Sequence, residues 1–134
     1  MIDRHDRAYM DMAERWAELS RANRKQVGAL VVKDRQIISD GYNGTPTGFD
    51  NTCEGEDGLT LPYVLHAESN AITKLARSPQ SSAGATLYVT LSPCFHCAKL
   101  IVQAGIERVV YRDAYHDLTG VQFLQDCGVV VQSC

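Results

Sequence analysis

Two short fragments hold side chains that could do chemistry together: His66-Ala-Glu68 and Pro93-Cys-Phe-His-Cys97. Zinc takes Cys thiolates and neutral His, and a catalytic zinc keeps three protein ligands and an open fourth position. His66, Cys94 and Cys97 supply such a set. Cys94 and Cys97 stand three apart in what reads as the first turn of a helix, so both sulfurs can face one point. The positive end of that helix favours thiolates, and Pro93 suits a helix start. Glu68 follows His66 too closely to be an obvious fourth ligand. Its carboxylate can instead lie over the open position and take a proton from water. The chemistry would be metal-assisted hydrolysis. Two blander readings compete. A closed structural zinc would need a fourth ligand, which Cys53 or His96 could provide. A C-x-x-C redox pair explains neither His66 nor Glu68.

These side chains need elements to hold them. Tyr9, Met12, Ala13, Trp16 and Leu19 recur at helical spacing, which predicts an amphipathic helix over residues 6–20. The β-branched, apolar run 27–33 reads as a buried strand. Asp34-Arg35 turns the chain into a second strand over 36–42, forming a hairpin. Residues 43–48 read as a loop and the polar stretch 49–65 as a surface excursion. A helix is expected over 67–77 with Ala67, Ala71 and Leu75 on one face. A strand follows over 85–90, then a helix over 95–104 stopped by Gly105. A short strand over 109–111, a helix over 118–127 and a strand over 129–131 complete the chain. Strands alternating with helices after a hairpin imply a mixed sheet covered on both faces.

The order H-x-E…P-C-x-x-C is the general signature of zinc-dependent deaminases, in which the Glu shuttles protons and is not a ligand. The wider sequence resembles the deoxycytidylate (dCMP) deaminases, the bacteriophage type above all. The resemblance runs through Gln26-Val-Gly-Ala29, Gly41-Tyr-Asn-Gly44-Thr-Pro46, His66-Ala-Glu-Ser-Asn-Ala-Ile72, Leu87-Tyr-Val-Thr-Leu-Ser-Pro-Cys94, Gly105-Ile106 and Val109-Val-Tyr111. The zinc fragments alone would also fit deaminases of cytidine, of tRNA adenosine or of the riboflavin pathway. The Gly-Tyr-Asn-Gly loop and the Asn-Ala-Ile after Glu68 narrow the resemblance.

That resemblance implies a three-layer α/β/α fold with a central mixed five-stranded sheet flanked by helices, of the cytidine deaminase kind, assembled as a homo-hexamer. It implies conversion of dCMP to dUMP and ammonia, supplying thymidylate synthesis, with activation by dCTP and inhibition by dTTP. One catalytic Zn2+ per chain is implied, and Mg2+ accompanying the dCTP effector. By position, His66, Cys94 and Cys97 would hold the zinc and Glu68 would move the protons. Asn43 would meet the deoxyribose, Tyr115 the nucleotide, and Ser92, with the backbone of Thr90 and Leu91, the base edge. Arg24, with Lys25, could meet the 5′-phosphate. Arg77 and Gly44 would belong to the effector site. Some relatives carry a second, structural zinc, held partly by a Cys where this chain has Ala22. Cys53 occupies another such place, and no second zinc is expected here.

The 134 residues suit one domain, read as a single deaminase unit over 1–134. Thirteen Lys+Arg against sixteen Asp+Glu leave a net charge of −3, which argues against a nucleic-acid partner. Glu54, Glu56 and Asp57 would also repel a phosphate backbone, against an enzyme acting on bases in nucleic acid. A zinc-stabilised nucleotide sensor without turnover is a further alternative, opposed by Glu68. No apolar run of about 18 residues is present, so a membrane span is not expected. The charged N-terminus lacks a signal-peptide core, which points to the cytoplasm (the host's, if phage-encoded) and reduced thiols. Residues 50–61 faintly resemble a calcium loop, but position 12 is Leu61 and not Glu. His96 is expected at the surface.

Overall fold

The computed structural model describes all residues, 1–134. It contains α1 (Arg4–Ala17), β1 (Gly28–Lys33), β2 (Gln36–Tyr42), α2 (Ala67–Leu75), β3 (Thr86–Leu91), α3 (Phe95–Gln103), β4 (Arg108–Asp113), α4 (Thr119–Asp126) and β5 (Val130–Ser133). The five strands form one mixed sheet in the order β2-β1-β3-β4-β5. β1 pairs antiparallel with both β2 and β3, while β3, β4 and β5 run parallel. This is the expected three-layer architecture. No helix is long and apolar enough to cross a membrane.

The two faces carry unequal layers. Ala29, Val31, Leu87, Val89 and Val109 point into a core shared with Ala67, Ala71 and Leu75 of α2, Ala98 and Ile101 of α3, and Leu124 of α4. The alternate residues Leu30, Val32, Tyr88 and Val110 face Met10 and Ala13 of α1. β1 is therefore buried on both sides, and its sequence reads as a continuous apolar run because neither face meets water. At the β1–β2 turn both Asp34 (φ 51°) and Arg35 (φ 61°) are left-handed, as a two-residue hairpin turn requires. Neither is glycine, and the Tyr9 hydroxyl donates to the Arg35 carbonyl at 3.2 Å.

The first helix departs from expectation. It begins at Arg4, capped by Asp3 in a reciprocal pair with Asp6, and ends at Ala17. Its buried face is Asp6, Met10, Ala13 and Ala17, while Met12, Trp16 and Leu19 are exposed. The reason is closeness: a Cβ on Gly28 would lie 2.0 Å from the Ala13 carbonyl oxygen, so only small side chains fit where α1 crosses the start of β1. Trp16 is displaced to the flank, where its indole N–H donates to Asp40 on β2 at 3.0 Å. Asp6 is buried because Arg108 from β4 reaches it with two bonds of 2.8 and 2.9 Å and the Tyr88 hydroxyl donates at 2.6 Å. The Arg108 guanidinium, and then Tyr88, hold its carboxyl well below the usual carboxylate range. The other boundaries differ by one or two residues, and one matters. α2 stops at Leu75, so Arg77 lies beyond it and is exposed, not on the rigid helix that begins after His66.

Candidate active site

The parallel half of the sheet creates the site. β3 ends at Leu91, and its continuation Ser92-Pro93-Cys94 turns directly into α3. Ser92 N–H donates to the Asp113 carbonyl at the end of β4 at 2.9 Å, which keeps the two strand ends together. Cys94 is the N-cap of α3 and His66 the N-cap of α2, so two positive helix ends converge there. The His66 imidazole, the Cys94 thiol and the Cys97 thiol place one donor atom each within 4.8 Å of one another. His66 Nδ1 lies 3.3 Å from Cys97 Sγ and 3.5 Å from Cys94 Sγ. A tetrahedral zinc with ordinary Zn–S and Zn–N lengths sets its S and N ligands about 3.5 Å apart. The donor chemistry and the spacing both fit zinc. Cys53 and His96 stand outside the group, and His96 is at the surface, so a closed four-ligand site is not formed.

Glu68 is buried at 4% exposure beside these donors. Burial pushes its carboxyl up to about 7. The Cys97 hydrogen bond, and then His66, bring the Cys94 thiol down to about 3. Cys97 is raised by that same bond and by its own burial, and His66 is raised chiefly by its bond with Cys94.

A cavity of about 460 Å³ opens onto His66, Glu68 and Cys94, and its wall also includes Asn43, Ser92, Tyr115, Arg24 and Lys25. Of the residues expected at the metal and substrate, all but Thr90 meet here; Thr90 is buried outside the cavity wall, and its hydroxyl accepts the Gly28 N–H at 3.2 Å. Ser92 is buried, and its hydroxyl accepts the Tyr115 N–H at 2.7 Å, fixing the tyrosine at the cavity edge. Asn43 is more constrained than a free ligand. Its Oδ1 accepts the Val27 N–H at 2.9 Å and its Nδ2 donates to the Lys25 carbonyl at 2.7 Å. One N–H and one lone pair remain for a substrate. The two effector-site expectations separate. Gly44 lines a second, polar cavity that also holds Arg21, Asn51, Asn70 and Lys74. Arg77 lines neither cavity.

Three contributors were not foreseen: His116, whose ring lies 4.1 Å from that of Tyr115, Glu54 and Gly120. A Cβ on Gly120 would meet the Pro93 carbonyl oxygen at 2.3 Å and that of Cys94 at 2.8 Å. A glycine inside an expected helix was the available signal. α4 thus presses on the backbone of a metal-ligand candidate. We expect Gly120→Ala to destabilise the fold by about 1–3 kcal/mol and to lower zinc occupancy. Unchanged melting and unchanged metal content would show that the contact relaxes freely.

Comparison with known proteins places the class. Residues 3–113 match the family described as the cytidine and deoxycytidylate deaminase zinc-binding region, and the chain belongs to that family. Within it, the chain is 40% identical over 120 residues to the deoxycytidylate deaminase of Mycobacterium phage D29, spanning 79% of this chain and 92% of that one. The dCMP deaminase of cyanophage S-TIM5, in complex with dCMP and dUMP, superposes with a TM-score of 0.97 at 47% identity, over 100% of this chain and 99% of that one. The same enzyme in its apo form gives 0.90 at 42% identity, covering both chains fully.

Proposed function

We propose that this chain, acting as one catalytic unit over 1–134, hydrolyses dCMP to dUMP and ammonia. The observation that carries the reading is a buried carboxyl, Glu68, beside a three-donor His-Cys-Cys group in a cavity whose wall bears Arg24 and Lys25. The cyanophage relative bound to dCMP and dUMP supports the choice of substrate. His66, Cys94 and Cys97 hold the zinc, which when bound supplies Lewis acidity and lowers the pKa of water. Glu68 takes a proton from the attacking water, delivers it to ring N3, and later passes a proton to the amine leaving C4. Ser92 and the strand-end backbone orient the base edge, with Tyr115 against the nucleotide and Asn43 toward the deoxyribose. Arg24 and Lys25 meet the 5′-phosphate. The test is kcat/KM for dCMP against deoxycytidine, followed by ammonia release. A phosphate subsite predicts a preference for dCMP of tenfold or more, about 1.4 kcal/mol. Equal values would favour a nucleoside deaminase.

The second cavity favours regulation. Arg21 offers it positive charge, Lys74 lines it while paired with Asp40 at 2.7 Å, and it shares Cys53 with the first cavity. We read it as a nucleoside triphosphate site, taking dCTP as activator and dTTP as inhibitor. Its wall holds no carboxylate, so any Mg2+ would be held there by the phosphates. Phe95 and Leu100 of α3 and Leu118 before α4 are exposed, and we read them as available to contacts within a homo-hexamer. The expected result is sigmoidal dCMP saturation that dTTP sharpens and dCTP straightens, blunted in Lys74→Glu. Hyperbolic curves indifferent to both would leave an unregulated deaminase.

A further inference from the structure

The cations assigned to the phosphate sit on a strap with no backbone support. Between α1 and β1, no backbone–backbone hydrogen bond starts or ends at residues 21–26. Side chains hold the strap instead. Asn43 grips its far end through Val27 and Lys25. Nearer the middle, one oxygen of Glu54 accepts two successive N–H groups, from Asn23 at 3.0 Å and from Arg24 at 3.2 Å. Successive N–H groups form a concave anion site, and bonds to an ionised acceptor are about twice as strong as neutral ones. Glu54 is fixed in turn by pairing of its own backbone with Thr60.

We propose that Glu54 is the positioning residue for phosphate recognition: it anchors the backbone from which Arg24 and Lys25 reach the cavity. This rests on the dCMP reading above and assigns within it a role to a carboxylate that would otherwise only oppose a phosphate. Without the anchor, the exposed N–H groups of Asn23 and Arg24 turn to water and the strap samples many conformations. Binding the phosphate must then order the strap and two long cationic side chains, a cost paid out of affinity. The bond-breaking step at C4 does not involve the strap. The effect is confined to phosphate-bearing ligands.

The zinc-loaded protein is assayed as wild type, Glu54→Ala and Glu54→Gln with dCMP and deoxycytidine, and titrated calorimetrically with dUMP and deoxyuridine. Glu54→Ala should raise the KM for dCMP at least fivefold with kcat within twofold, and weaken dUMP similarly. Its kcat/KM for deoxycytidine and affinity for deoxyuridine should hold within twofold. Glu54→Gln, whose amide oxygen can still accept both N–H groups, should recover most of the loss. Should Glu54→Ala not fold, Glu54→Asp serves, because it keeps the charge but is one methylene too short to reach. Equal losses on both substrates would mean general structural damage and overturn the assignment. An improved KM for dCMP would also overturn it, showing that Glu54 repels the phosphate. An unchanged KM in variants whose wild type prefers dCMP overturns the Glu54 role alone, whereas a wild type indifferent to the phosphate overturns the dCMP reading itself.

Discussion

Glu68→Gln should retain its zinc, bind dUMP like the wild type and lose turnover by about 10²–10⁴-fold, the usual span of a general acid–base contribution. The amide copies the shape of the carboxyl but can neither accept the water proton nor deliver one to N3. The position suits this comparison because Glu68 is 4% exposed and burial already pushes its carboxyl up to about 7. The amide matches the carboxyl in size, so the melting temperature should stay level. Metal content, dUMP affinity and kcat measured on one preparation separate a lost proton shuttle from a lost site. A kcat above about a tenth of wild type, a barrier change below about 1.4 kcal/mol, would place the proton transfer on another group. Loss of zinc in this variant would make Glu68 part of the metal shell.

Cys97→Ser should empty the metal site and abolish activity together. The side chain is 3% exposed and its sulfur faces His66 Nδ1 at 3.3 Å. Serine is a poor replacement, since its hydroxyl stays protonated where the thiol gives a soft thiolate. Elemental analysis should find one zinc per chain in the wild type and less than about a tenth in the variant, because a three-ligand catalytic site has no spare donor. Cys53→Ser makes the contrast: it lines the cavity but stands outside the donor group, and its zinc should stay at one per chain. Full zinc in Cys97→Ser would overturn the ligand set. Two zincs per wild-type chain would restore the second site that Ala22 argues against.

The site's chemistry was legible in sequence because its parts are local. Cys94 and Cys97 are three residues apart, a spacing that shares a helix face, and Glu68 sits in the first turn of the helix that His66 caps. The central strands β1 and β3 were legible because burial on both faces leaves an apolar run with no alternation to misread. The face of α1 was not. Periodicity ranked Met12, Trp16 and Leu19 as inward, but the 2.0 Å approach at Gly28 admits only Ala13 and Ala17. Helical period specifies that one face is buried; the distance to the sheet decides which. The same holds for Arg77, which falls outside α2 because the helix ends at Leu75, two residues before the expected 77. It holds too for Asn43, whose amide binds backbone 16 and 18 residues away. Gly120 against Cys94 and Glu54 against Arg24 join segments about 26 and 30 residues apart. Such contacts follow from how helices and loops close over a sheet edge, and no local spacing encodes them. The sequence by itself determined the donor set, the proton carrier and the sheet that bears them. Tertiary packing alone decided how the cations are held at the cavity, because their segment has no secondary structure of its own to hold them.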